Sequence, residues 1–366
     1  DSARRLVELL VKRQKAPQAR EELRRVISSE RSGGPSADWA RRALAVQIAG
    51  SSYREMLEAL ALLRRNVDAQ GRQHPEDILT SIALLRARAE PASWRQAVAL
   101  FDELAKWRAL TVDERVALAR LRARLGRYEP ARDELAAIAA SPNSSVSVIT
   151  ALSELLLEHD DARGARKWVD RLRTDAPEAV ATLVLSTRVA AAEGNQALAR
   201  ECVRRLVPDT RLTPGNARGM AERALIADSI GFPDEADRVL AEYATLAPEG
   251  VLLRARWVAR RRSLDEAVDL MAPALGKVSP LAFLEALVAV VRQSSGEIPE
   301  STREQILGWV AKLRRENPDA VDVTIQSATL EESLGMVAEA EKSYRELLDD
   351  GELSSLRTGI VAANLG

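Results

Sequence analysis

Between residues 112 and 211 one pattern of residue types occurs three times at a spacing of 34. Ala131, Ala165 and Ala199 mark it. Four residues after each stands an apolar side chain (Leu135, Val169, Val203), and seven after stands another (Ile138, Leu172, Leu206). Five before each stands a turn residue (Gly126, Asp160, Gly194), and a proline closes each copy (Pro142, Pro177, Pro208). Apolar residues at these intervals line one face of a helix. Self-similarity at a period of 20 to 50 residues is the mark of a stacked array, in which each copy buries its apolar face only against its neighbours. A chain of 366 residues would otherwise be expected to divide into two or three globular domains.

The bulk composition agrees with a folded helical chain. Apolar residues make up 46% and charged residues 29%, and aromatics only 4%. Ala, Leu, Arg and Glu, all strong helix formers, dominate. The 53 basic residues are balanced by 54 acidic ones, so no overall field draws the chain to nucleic acid or to an anionic membrane. A single cysteine, Cys202, excludes an internal disulfide framework. No apolar run is long enough to span a bilayer. The compartment stays open, with the cytoplasm slightly favoured. The chain does not begin with Met and shows no signal peptide, so it reads as a piece of a longer protein.

The same helix-pair pattern extends outward from the three regular copies, giving one array over 1–366. Its units are expected near 1–30, 37–68, 75–108, 112–143, 146–177, 180–211, 217–248, 249–276, 281–318 and 321–350, with a partial unit at 354–366. The marker is taken in turn by Ala19, Met56, Ala97, Ala131, Ala165, Ala199, Ala236, Ala267, Ile306 and Ala340. Pro75 and Pro233 suit helix starts, where a missing N–H costs nothing. Spacing drifts at the edges: Ala199 to Ala236 is 37 and Ala236 to Ala267 is 31. The second and ninth units are irregular. The partial unit has Val361, Ala362 and Leu365 on one face and no second helix to cover them, so the natural protein is expected to continue.

In period and in its small residues, the chain resembles the tetratricopeptide repeat family over essentially its whole length, as a divergent, bacterial-type array. The small markers, with Ala119, Ser153 and Ala224 twelve residues before three of them, match places where the family's two helices cross closely. Departures are clear. The family's early Trp is replaced by Arg115, Ile149, Leu183 and Met220, and its Tyr by Arg122, Leu156, Ala190 and Ala227. The resemblance implies an all-α, right-handed α-solenoid of about ten helix-turn-helix units plus the partial one. It also implies a concave groove, lined by first helices, that holds a peptide or a helix of another protein. The family's Asn/Lys clamp for a C-terminal carboxylate is absent, since the clamp position carries Val116, Thr150, Val184, Ala221 and Leu252.

Eleven residues before five of the markers, at a place the family turns to the groove, stand Arg86, Arg120, Glu154, Arg188 and Arg256. A row of guanidinium forks suits the carboxylates of an acidic peptide. The bland alternative is a solvated face of arginines paired with neighbouring glutamates. A second basic feature is the run Arg254–Arg262, which contains Trp257. Basic residues with an aromatic can bind nucleic acid, but arginine at a helix C-terminus also simply opposes the helix dipole. Trp168 and Trp309 recur at one place in two second helices and read as packing; Cys202 reads as a buried thiol. His74 and His159 stand alone beside turns, with no metal-ligand spacing around them. The acidic pairs Asp160-Asp161, Glu331-Glu332 and Asp349-Asp350 read as solvated. Catalytic motifs are missing: no phosphate loop with Lys, no G-x-S-x-G, no H-E-x-x-H and no S-x-x-K.

The expectation is therefore an interaction scaffold that is not an enzyme and needs no cofactor. Its partner would be a protein or peptide, of acidic character if the arginine row is the site, and neither nucleic acid nor a membrane is expected to take this chain. One alternative is a recruiting or regulatory arm of a larger enzyme or membrane-anchored protein. A more distant one is an RNA-reading helical repeat, which would need polar side chains where Val116, Val184 and Leu252 stand.

Overall fold

A computed structural model describes residues 2–13, 15–29, 34–50, 53–293 and 298–349. These residues form an all-α solenoid of helical hairpins, in two compact units, Asp1–Gly194 and Asn195–Gly366. The first unit pairs α1 (Ser2–Lys12) with α2 (Ala16–Ser29), and α3 (Pro35–Ile48) with α4 (Tyr53–Leu63). It continues with α5 (Pro75–Arg86) and α6 (Pro91–Trp107), α7 (Val112–Arg124) and α8 (Tyr128–Ala139), α9 (Val146–Glu158) and α10 (Ala162–Asp175), and ends on α11 (Val180–Ala192). The second unit opens on α12 (Gln196–Leu206), followed by α13 (Ala217–Ser229) and α14 (Pro233–Leu246), then α15 (Pro248–Arg261) and α16 (Leu264–Met271). It closes with α17 (Pro280–Gln293) and α18 (Glu300–Glu316), and α19 (Val321–Ser333) and α20 (Val337–Asp349). Among the described residues the only pairing of extended backbone is an isolated bridge between Val67 and Gln73. The partial unit at 354–366 lies outside the described residues.

The markers sit where helices meet. Ala19, Ala97, Ala131, Ala165, Ala199, Ala236, Ala267 and Ile306 have no exposed surface, and Met56 and Ala340 keep 2%. On the first helices, Ala119, Ser153 and Thr187, twelve residues before three of the markers, are fully buried too. The two hydroxyls among them are satisfied inside their own helices: Ser153 Oγ donates to the Ile149 carbonyl and Thr187 Oγ1 to the Leu183 carbonyl, each at 2.8 Å. A continuous core then runs through Ala131 and Leu135 on α8, Ile149 and Leu152 on α9, Ala165 and Val169 on α10, and Leu185 and Val189 on α11. Each large apolar side chain in it contributes about 1.5–3 kcal/mol of burial.

The turn position five residues before the marker has one backbone geometry. Gly126 lies at φ 84° and Asp160 at φ 57°, both left-handed. In each case the next N–H caps the preceding helix: Arg127 N donates to the Arg122 carbonyl and Asp161 N to the Leu156 carbonyl, both at 2.9 Å. This is the six-to-one bond of a left-handed helix end. Asp160 adopts it against its own Cβ, which glycine would not.

The irregular second unit has a physical cause. Helix α4 stops at Leu63, short of the unit boundary expected near 68, and Asn66 is drawn into a buried polar network. Its amide donates to the Asp38 carbonyl (3.0 Å) and to Asp77 Oδ1 (2.9 Å), and its oxygen accepts from Arg41 Nε (2.5 Å). Asp77 is fully buried and receives both Nε and a terminal nitrogen of Arg42 at 2.9 Å. In the eighth unit, the second helix ends early in a 3-10 turn at Ala272–Ala274.

Helix α7 starts with a reciprocal cap. Glu114 N donates to Thr111 Oγ1 (3.3 Å), while Thr111 N donates to Glu114 Oε2 (2.8 Å). Arg108 grips the same carboxylate at 2.8 and 2.6 Å. The Arg108 hydrogen bonds, with the Thr111 N–H, lower the Glu114 pKa from 4.5 to about 2. A carboxylate depressed in the fold contributes stability above its unfolded value and loses it as pH falls through its folded value. Two outcomes follow. Glu114→Gln is expected to lower the unfolding midpoint at pH 7 and to flatten the loss of stability between pH 4.5 and 2 in acid titrations. Asp160→Gly is expected to stabilise the first unit by about 0.5–1 kcal/mol, read as a rise in the urea midpoint.

Candidate interaction face

The first helices α5, α7, α9 and α11 carry Arg86, Arg120, Glu154 and Arg188 at intervals of 34. All four lie in the first unit. Packing fixes the helices beneath them: Ile82 and Leu85 of α5 share a core with Leu118 and Leu121 of α7. Arg120 and Glu154 form an ion pair between α7 and α9, and both side chains are about a third exposed (38% and 32%). Glu154 is thus the carboxylate of the row and the partner of its neighbour, rather than a gap in it.

Arg86 has a different environment. It is exposed and makes no ion pair among the described residues, and its pKa is pushed below the usual arginine value, first by loss of surrounding water and then by the charges of Arg120 and Arg124. Arg124 was not singled out in the sequence, although its place one helical turn after Arg120 puts it on the same face. Its guanidinium lies over the Trp94 ring, 5.5 Å from the centroid. Trp94 is itself held at the start of α6, where its indole N–H donates to the Arg88 carbonyl at 2.7 Å. Arg88 is taken by Glu90 at 2.8 Å. The structure therefore pairs Arg120 with Glu154 and sets Arg124 over Trp94 one turn further along α7, with Arg86 at the equivalent place on α5. Arg188, on α11, is half-buried and has no ion-pair partner among the described residues. Arg256 lies in the second unit, exposed on α15.

The basic run at Arg254–Arg262 is largely occupied by carboxylates of its own unit. Asp228, with 1% of its side chain exposed, is held by Arg260 at 2.5 Å and Arg261 at 2.7 Å. Asp237 is held by Arg262 at 2.6 Å and approached by Arg254 at 3.6 Å. Trp257 is buried at 5% exposure, with Arg262 over its ring. These arginines tie α15 to α13 and α14.

Other residues noted in the sequence have structural surroundings. Cys202 is buried, Trp168 packs against the central core, and Trp309 meets Phe283 edge to face. Neither histidine stands alone: His159 stacks on Tyr128 with centroids 3.8 Å apart, and His74 Nε2 lies 3.7 Å from Asp38. The acidic pairs differ from expectation in one case. Asp161 caps α10 by accepting from Gly164 N, but Glu331 is buried at 6% exposure, where it meets Arg314 at 2.9 Å and accepts from Ser343 Oγ. Asp350 lies outside the described residues. Among the described residues there is no group of three or more His, Cys, Asp or Glu that could hold a metal ion, and no helix long and apolar enough to cross a membrane.

The geometry defines a class, the helical-hairpin solenoid with a charged first-helix face. The chain matches no family model and no curated protein. Solved structures similar to it are helical-repeat proteins. The pentatricopeptide repeat protein PPR10 from maize is 15% identical, with 98% of this chain and 58% of that one covered at a TM-score of 0.39. Yeast Tom70 is 14% identical over 96% and 78%, at a TM-score of 0.36. The Cut9-Hcn1 hetero-tetramer of the APC/C is 11% identical over 98% and 75%, at 0.35. Likenesses this distant carry no functional argument, which rests below on the residues of this chain.

Proposed function

We propose that the chain is a protein-interaction scaffold whose first unit holds an acidic peptide segment of a partner protein against the face carried by α5, α7, α9 and α11. The observation behind this reading is an excess of arginine on that face, three of the arginines at repeat-equivalent places. Arg86, Arg120, Arg124 and Arg188 stand on that face with Glu154 and, one turn beyond it, the exposed Glu158. Among the described residues, Arg120 is the one of these four arginines that makes an ion pair. Packed helices keep these side chains on fixed stems, so a ligand meets little ordering cost on the protein side. Guanidinium forks recognise carboxylates two bonds at a time, which favours an extended acidic segment over a diffuse counterion cloud.

Nucleic acid fits less well. The basic run in the second unit is committed to Asp228 and Asp237, and the half-buried Val116 and Val184 stand where base-reading side chains would be needed.

An arrayed library of peptides graded in acidity tests the reading, with single-stranded RNA as a parallel probe at physiological salt. Acidic peptides are expected to be retained and RNA is not. Replacing Arg86, Arg120 and Arg188 together by Ala is expected to weaken retention by at least about tenfold with helicity unchanged, since charge-assisted bonds contribute on the order of 1.5–3 kcal/mol each. Retention without acidic bias, or unaltered by the triple change, would contradict it.

A further inference from the structure

We propose that Arg86, Arg120 and Arg124 together form a receptor for a phosphoryl group carried by a side chain of the bound peptide. This rests on the reading of the first-unit face as a peptide-binding surface and names the chemistry it selects.

The local charge count carries the argument. Arg120 and Arg124 lie one turn apart on α7, Arg86 holds the place equivalent to Arg120 on α5, and one carboxylate, Glu154, pairs with Arg120. Glu90 is engaged by Arg88, and Glu158 makes no ion pair with any of the three. Among the described residues Arg86 and Arg124 thus make no ion pair. Loss of surrounding water, and after it the charges of Arg120 and Arg124, lower the Arg86 pKa, and an anion set among the three relieves the second of these. A single carboxylate brings one negative charge and two acceptor oxygens. A phosphoryl group brings about 1.5 to 2 charges at neutral pH and three strong acceptor oxygens, matching both the residual charge and the number of forks.

The supports are arranged to keep the forks available. Arg120 and Arg124 are one turn apart on α7, so their stems rise side by side. Trp94 offers its ring face to Arg124. A guanidinium stacked on a ring keeps its edge N–H groups free to donate in the plane. The shared core of Leu85 and Leu118 holds the α5 and α7 stems at a fixed separation. Glu154 acts as a resident counter-anion on Arg120, and a doubly charged ligand displaces or shares it where a singly charged one gains little.

The test uses the full chain and three short peptides, acetyl-Gly-phosphoserine-Gly-amide and its Glu and Glu-Glu counterparts, titrated by calorimetry. The phosphoserine peptide is expected to bind at least about tenfold more tightly than either acidic peptide, as a match of charge and acceptor number implies. Arg86→Ala and Arg124→Ala are each expected to weaken it by about tenfold, the loss of one charge-assisted contact. Arg315→Ala, exposed on α18 of the second unit, is expected to leave it unchanged, and Glu154→Gln to tighten it. Tryptophan emission is expected to change on binding in the native chain and much less in Trp94→Phe, whose unchanged circular dichroism shows that it folds. Equal binding of the Glu-Glu peptide, with dependence on Arg86 and Arg120, would overturn the phosphoryl assignment and leave the acidic-peptide reading standing. No saturable binding of any of the three peptides would overturn the assignment as well, and the peptide library then decides whether the wider reading falls with it. Phosphoserine binding that survives both Arg86→Ala and Arg124→Ala would also overturn it.

Discussion

Close approach of two helices at a side chain too small to hold them apart is the constraint on which this structure depends. At Ala131 and Ala165 nothing larger than a methyl group stands between the second helix and its neighbours, and both residues are fully buried. The apolar residues four and seven positions on, such as Val169 and Leu172, then reach into the next hairpin. Each hairpin has two apolar sides and is stable only when both are covered, which is why the pattern repeats. Where the marker is large, as with Met56 and Ile306, the residue is still buried, and these are the two units that depart most from the regular spacing.

Repetition also explains the candidate site. A residue at one place in successive hairpins comes to lie beside its copies, so a preference for arginine eleven residues before the marker becomes a row of like charges. Such a row is unfavourable unless something answers it. Glu154 answers Arg120. Elsewhere some arginines tie helices together through a shared carboxylate, as Asp228 does for Arg260 and Arg261 and Glu134 for Arg115 and Arg122. Among the described residues Arg86, Arg124 and Arg188 make no such pair, and the proposed site is built on them.

Much of the fold was legible in the sequence because hairpin formation is local. Markers, turn positions and proline helix starts all act within one or two turns of helix, and Asp160 was readable as a turn residue equivalent to Gly126. Arg86, Arg120, Glu154 and Arg188 were legible for the same reason, through the period. What was not legible depends on side chains meeting across hairpins. The pairing of Arg120 with Glu154, the burial of Glu331 against Arg314 and the Asn66–Asp77 network need partners 34, 17 and 11 residues away, whose geometry no spacing rule supplies. Arg124 was missed because its meaning comes from Trp94 and Arg86, not from a repeat of its own. The division into two compact units was likewise invisible, since the local pattern runs through Gly194 without a break.

The account's central claim is that the small marker sets helix approach, and enlarging one marker tests it most directly. Ala165→Leu, compared with Ala61→Leu at an exposed place on α4, would be followed by urea unfolding with helical circular dichroism as the readout. The account predicts a lowered midpoint for Ala165→Leu, equivalent to about 1–3 kcal/mol of overpacking, with Ala61→Leu close to the parent. Equal midpoints for the two variants would mean that the crossing tolerates a large side chain, and the steric basis for the repeat would then be wrong.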